Sequence, residues 1–176
     1  MKRWVFMTHQ VALLSAVLHA AGPPQPPVPP LRPTFVYDRS RGCWDIEVYS
    51  TNVAETEVLS VNIALDRNRL PTKARPLVID LARPPKDTEV VVEVYRTRKH
   101  HWPCTHSLPW GAEEPTTWVA TRGSLSVVAE PPASNQPEYA VTVRVTNAEF
   151  VGPGGMKVRP DRALELRTLA GRPDGG

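Results

Sequence analysis

The chain has 176 residues, with 21 Lys and Arg against 18 Asp and Glu, two cysteines and twenty prolines, long enough for one domain with a real core. Setting aside Lys2 and Arg3, which open the leader described next, leaves 19 basic against 18 acidic residues. That near balance, with no basic run interleaved with aromatics, excludes the usual composition of a nucleic-acid binder.

Residues 1–22, "MKRWVFMTHQVALLSAVLHAAG", begin with Lys2 and Arg3, continue into an apolar run over 11–18 and end on small residues. This is the layout of a secretory signal peptide, and its apolar core is too short for a membrane span of about 20 residues. Residues 23–33, "PPQPPVPPLRP", follow as a proline-rich leader that favours extended polyproline II. The remaining organisation is a β-domain over 34–170 and a flexible tail over 171–176. "TFVYD" (34–38) is expected as a first, edge strand. "CWDIEVY" (43–49) sets Trp44, Ile46 and Val48 against Asp45, Glu47 and Tyr49. "EVLSVNIALD" (57–66) sets Leu59, Val61, Ile63 and Leu65 against Ser60, Asn62 and Ala64. "LVIDLA" (77–82), "EVVVEVY" (89–95), "SLSVVA" (124–129), "YAVTVRV" (139–145) and "ALELRT" (163–168) alternate in the same way. Period two with β-branched residues is the pattern of half-buried strands. The breaks "RNRLPTKARP", "RPPKD", "EPPASNQPE" and "GPGGMKVRPD" are turn material. No stretch sustains apolar residues at helical spacing. Val145 and Phe150 are out of phase with one another, so a bulge or bend near Asn147 is required if both are to be buried.

Short alternating strands with one polar face predict an all-β fold of about 7–9 strands. The expected form is an antiparallel two-sheet sandwich of immunoglobulin-like or Greek-key type, or a partly closed barrel. In an immunoglobulin domain the core tryptophan lies well after the first cysteine and the second cysteine sits mid-strand. Here Trp44 adjoins Cys43 and Cys104 follows Pro103, so the comparison carries architecture and not topology. "RGCWDIEVYS", a "PC" loop after a valine strand, and "RGSLSVVAE" with "YAVTVRVTNAEFVGPGG" resemble uncharacterised exported β-sandwich proteins of high-GC bacteria. The resemblance covers most of the chain after the leader and implies a compact β-domain without implying an activity.

The most pointed segment is "RKHHWPCTHSLPW", 98–110. In an oxidising compartment Cys43 and Cys104 are expected to pair. Closing so long a loop stabilises by about 4 kcal/mol in the chain-entropy model. His100, His101 and His106, with Cys104 and a carboxylate such as Glu113 or Glu114, are the candidate ligands for copper or zinc. Against this, His100 and His101 point to opposite faces if the chain is extended, and a disulfide uses up the thiolate. Trp102, Trp110 and Trp118 are the candidate binding-loop aromatics, able to grip a sugar or apolar group, or else to cover an open end of the sandwich.

Catalytic signals are absent: there is no G-x-S-x-G, no H-E-x-x-H and no phosphate-cradling glycine loop. Ser107 beside His106 is adjacency without triad geometry. Asp45 and Glu47, about 7 Å apart on one strand face, are ordinary surface carboxylates in spacing. No cofactor is expected. The reading is an exported, periplasmic or extracellular, non-enzymatic β-domain. It binds a surface protein or polysaccharide through loop 96–118, with no nucleic-acid partner and no membrane span once the leader is removed. The alternative is an exported copper- or zinc-binding protein using His100, His101 and His106.

Overall fold

The computed structural model describes residues 29–43, 47–63, 71–98, 114–130 and 139–170. Among them the fold is all-β, with no α-helix and nine strands: β1 Arg39–Cys43, β2 Glu47–Thr51, β3 Glu57–Asn62, β4 Leu77–Asp80, β5 Glu89–Val94, β6 Thr116–Glu130, β7 Tyr139–Val151, β8 Lys157–Val158 and β9 Leu164–Ala170. Every pairing is antiparallel. All nine belong to one hydrogen-bonded sheet rather than two, in the order β1-β2-β3-β5-β6-β7-β8, with β4 on the distal half of β6 and β9 on the first half of β7. β9 also lies against β1 and β2, so the sheet curls back toward its own first strand. No helix among the described residues is long and apolar enough to cross a membrane.

Alternation explains most of the strands. On β3 and β5, Leu59, Val61, Val90, Val92 and Val94 face the core, while Ser60, Val91 and Glu93 face outward. The core adds Trp118, Leu125, Val127, Val141, Val143, Val145, Phe150, Leu164 and Leu166, each at most 3% exposed. Burying a side chain of this size stabilises by roughly 1.5–3 kcal/mol, so this apolar face is what selects the register.

The long hairpin β6–β7 carries the bend. The same pairing offset holds at Val119↔Val151 and Ala120↔Phe150 and again from Ser124↔Thr146 to Glu130↔Ala140, but Arg122↔Glu149 is displaced. One extra residue on β6 between Ala120 and Arg122 is offset by one extra on β7 between Thr146 and Glu149. The core phase changes on both strands at this place: Trp118 and Ala120 precede it and Leu125, Val127 and Ala129 follow on β6; Val141, Val143 and Val145 precede it and Ala148 and Phe150 follow on β7. This is the bend near Asn147 that the phase slip requires. Asn147 has φ +52 and Gly123, on the facing strand, φ +114. A Cβ on Gly123 would stand 2.7 Å from Thr146 O and 2.8 Å from Ala148 Cα, so only glycine lets the two backbones approach.

The expected edge strand at 34–38 does not form, and the first strand is Arg39–Cys43. Phe35 has φ +56, incompatible with a ladder and rare for a bulky side chain. The backbone N–H groups of Thr34 and Phe35 donate to the Glu57 side chain instead of to a neighbouring strand. The segment nevertheless belongs to the core: Phe35 is 9% exposed and its ring lies 5.1 Å from that of Phe150. Leu31, within the proline-rich stretch, packs against the same cluster.

Candidate functional site: the β5–β6 connection and its supports

β5 and β6 are neighbours, paired from Val91↔Val119 to Val94↔Thr116. Two antiparallel neighbours need only 2–5 residues to connect. Here residues 95–115, roughly 20 of them, join the two strands, several times the length the pairing requires. Residues 99–113 lie outside the described residues, and with them lie His100, His101, Trp102, Cys104, His106 and Trp110. The Cys43–Cys104 pairing falls there too: the Cys43 backbone ends β1 opposite Glu47, and its side chain is outside the described set.

The described ends of the connection are tied down. Tyr95 N donates to Thr56 O at 2.8 Å, and the Tyr95 hydroxyl donates to Glu93 Oε2 at 2.7 Å. The Arg98 guanidinium binds Glu55 Oε2, while Arg39 Nη1 binds Glu55 Oε1 at 3.2 Å. Glu55 is 6% exposed and has φ +56 in the β2–β3 turn. That turn is shaped by Asn52, whose Oδ1 accepts from Thr56 N at 2.9 Å and from Glu57 N at 3.2 Å. Asn offers the backbone this local partner cheaply, which is why it opens the turn. One carboxylate thus clamps β1 and the root of the long connection together.

Trp118, at the other root, lies in β6 and not on a loop. It has no exposed surface, and its indole N–H donates to Leu31 O at 2.9 Å. A Cβ on Gly152 would meet its ring at 2.5 Å. A side chain enclosed on all sides presents no face to a ligand, so Trp118 is a core residue and leaves the binding set.

The sheet surface beside the roots is acidic and shallow. Glu47, Ser60, Asn62, Glu89, Val91 and Glu93 line an open concavity of about 400 Å³. A second of about 420 Å³ shares Asn62 and Glu89 and reaches Asp87 and Thr88 at the end of β5. Tyr49, Thr51 and Val58 share the outward register with Ser60, yet are at most 3% exposed. Burial pushes the Tyr49 phenol up, with the Arg41 guanidinium acting the other way. Among the described residues no group of three or more His, Cys, Asp or Glu could hold a metal ion.

Three buried carboxylates organise this end of the molecule and the bend, and none stands out by motif. Glu57 is 1% exposed and accepts from Thr34 N (2.7 Å), Thr34 Oγ1 (2.8 Å), Phe35 N (2.9 Å) and the Tyr37 hydroxyl (2.7 Å). Burial first, then the neighbouring Glu57 carboxylate, pushes the Tyr37 phenol far above its ordinary value. Glu55 is the clamp already described. Glu149 binds Lys157 Nζ at 2.8 Å and Arg159 Nη2 at 2.6 Å, and these two hydrogen-bonded cations hold its carboxyl down to about 2. A signal for Glu57 was present in the sequence: it shares the phase of Leu59, Val61 and Ile63, a charge on the core face, which implies dedicated partners.

No family model, no curated protein and no solved structure matches this chain.

Proposed function

We propose that the chain is an exported, non-catalytic β-domain that binds a surface protein or polysaccharide through the β5–β6 connection, expected from the sequence as loop 96–118 and bounded in the fold by Val94 and Thr116. The observation that supports it is the length of the β5–β6 connection between strands already adjacent in the sheet. Strands already paired side by side need only a short turn to connect them, and a rigid sheet carrying a long connection is a common design for recognition. The clamped root on the β5 side, Arg98 on Glu55 and Tyr95 on Thr56, holds that end of the connection in place, which lowers the ordering cost of binding. A sandwich-like arrangement of the single sheet, folded at the Gly123 and Asn147 bend, is part of the same proposal, supported by β9 lying against β1 and β2.

The test is retention on pelleted bacterial envelope material and on a glycan array. Two variants are compared with the parent: Trp102→Ala with Trp110→Ala, which keeps Cys104, and replacement of 97–113 by Asn-Gly. Both are expected to lose retention while melting cooperatively. Undiminished retention of both refutes the proposal. One-to-one copper or zinc binding in calorimetry, abolished by His101→Ala and His106→Ala, would replace it with a metal-binding role.

A further inference from the structure

The bend in β6 and β7 also shapes a concavity of about 550 Å³ where the β8–β9 connection passes, lined in part by Arg144, Thr146, Asn147, Asp161 and Arg162. Its two arginines differ from six other described surface cations. Arg39, Lys73, Arg98, Lys157, Arg159 and Arg167 each sit on a carboxylate. Arg144 stands directly across from Glu165 in the β7–β9 ladder, where opposite charges ordinarily pair. Glu165, however, is held by Arg167, whose Nε and Nη2 both lie 2.7 Å from Oε1. Among the described residues, no carboxylate pairs with Arg144 or with Arg162. Both are exposed, so two guanidiniums that share one concavity are open to an incoming ligand.

The rest of the lining suits a polar anion. Asn147, held at φ +52 by the bulge, contributes an amide. The Thr146 hydroxyl donates to Ser124 O at 3.4 Å and keeps lone pairs to accept from a ligand hydroxyl. Asp161 lines the same concavity, so two positive charges face one negative charge. That balance suits a group carrying a single charge spread over two oxygens, the shape that a guanidinium fork matches.

We propose that this concavity binds the singly charged oxyanion group of an anionic polymer, a carboxylate or a phosphate ester, between Arg144 and Arg162. The proposal is independent of the loop 96–118. The polymer would place one acidic group between the two guanidiniums, with Thr146 and Asn147 meeting its neighbouring hydroxyls. Asp161 tunes the site against more highly charged groups.

The experiment is a pair of ¹H–¹⁵N titrations of the full chain, one with trigalacturonate as the carboxylate probe and one with a short glycerol phosphodiester oligomer as the phosphate probe. Saturable shifts are expected at the amides of Thr146, Asn147 and Ala163, weakening as salt is added. Saturation by one probe only assigns the group as carboxylate or phosphate. Arg144→Gln or Arg162→Gln should weaken binding about tenfold, the loss of one charge-assisted contact, and Asp161→Asn should tighten it. Arg167→Ala lies outside the lining and supplies the discriminating result. It frees Glu165 to pair with Arg144 and should weaken binding, and adding Glu165→Gln to it should restore the parent affinity. Thermal melts confirm that each variant is folded. Failure of both probes to saturate, unchanged affinity in Arg144→Gln, or no effect of Arg167→Ala overturns the proposal.

Discussion

Replacing Glu57 by Gln should unlatch residues 29–38 from the core. The side chain is 1% exposed, and its two oxygens accept four hydrogen bonds, all from Thr34, Phe35 and Tyr37. Glutamine keeps Oε1 for Phe35 N and the Tyr37 hydroxyl but sets an amide NH2 where Oε2 had accepted from Thr34. The Thr34 hydroxyl can rotate and accept from that amide, whereas the Thr34 backbone N–H has no such choice and faces another donor. A hydrogen bond to a charged group contributes about 1.5–3 kcal/mol. Thr34 is itself exposed, so its N–H can turn to water, and the loss is about 1.5–3 kcal/mol, limited from above because the segment can peel away into water. Peeling carries its own cost. It uncovers Phe35, worth roughly 1.5–3 kcal/mol of burial, and leaves the Trp118 indole without Leu31 O. The left-handed Phe35, at a backbone cost of order 1–3 kcal/mol, is held only while these contacts persist. Urea unfolding reads the global loss, and amide exchange at 31–38 should rise before the rest of the sheet opens. Tyr37→Phe, which removes one of the four bonds, should cost less than Glu57→Gln, and the two should be non-additive. If Glu57→Gln stays within about 0.5 kcal/mol of the parent, the range of an ordinary surface substitution, the latch reasoning fails.

Two further outcomes follow from the same structure. Glu149 has its carboxyl lowered from 4.5 to about 2 by Lys157 and Arg159, so its contribution is fully present above pH 4.5 and lost as pH falls from there toward 2. Glu149→Gln should flatten the melting temperature against pH in that window alone, and an unchanged acid limb would contradict the pairing. Gly123→Ala places a Cβ 2.7–2.9 Å from the Thr146 and Ala148 backbones at φ +114, and denaturant unfolding should show a loss of at least about 2 kcal/mol. A neutral result would mean that the kink is not held by backbone contact.

Where the strands were legible, one face alternated strongly. The valines of β5 and the run Leu59, Val61, Ile63 declare both conformation and inward face, because burial on one side of a pleat leaves a period of two. β1, "RSRGC", has no such alternation and is a strand because β2 supplies its partner. β8 is two residues long and rests on Val151 and Phe150. The first half of β6 was hidden in a polar stretch in which Trp118 suggested a ligand shelf rather than the largest fully buried side chain among the described residues. The charged supports were harder still. Glu57 betrayed itself by phase, but Glu55 lies in a turn and Glu149 between two core positions, and only the folded chain brings Arg39, Arg98, Lys157 and Arg159 to them.

From the sequence alone came the all-β class, the strand-and-turn rhythm and the need for a bend near Asn147, since each rests on neighbours within a few residues and on the simple cost of exposing apolar groups. The tertiary structure decided which strands pair, that all nine form one sheet, and that Phe35 fills the core instead of opening an edge strand. It also decided that Arg167 captures Glu165 and leaves Arg144 open. These outcomes depend on residues far apart in the chain competing for the same partner. Hydrogen bonds and ion pairs are short-ranged and saturable, so the winner is set by the three-dimensional arrangement and leaves no periodic trace in the order of amino acids.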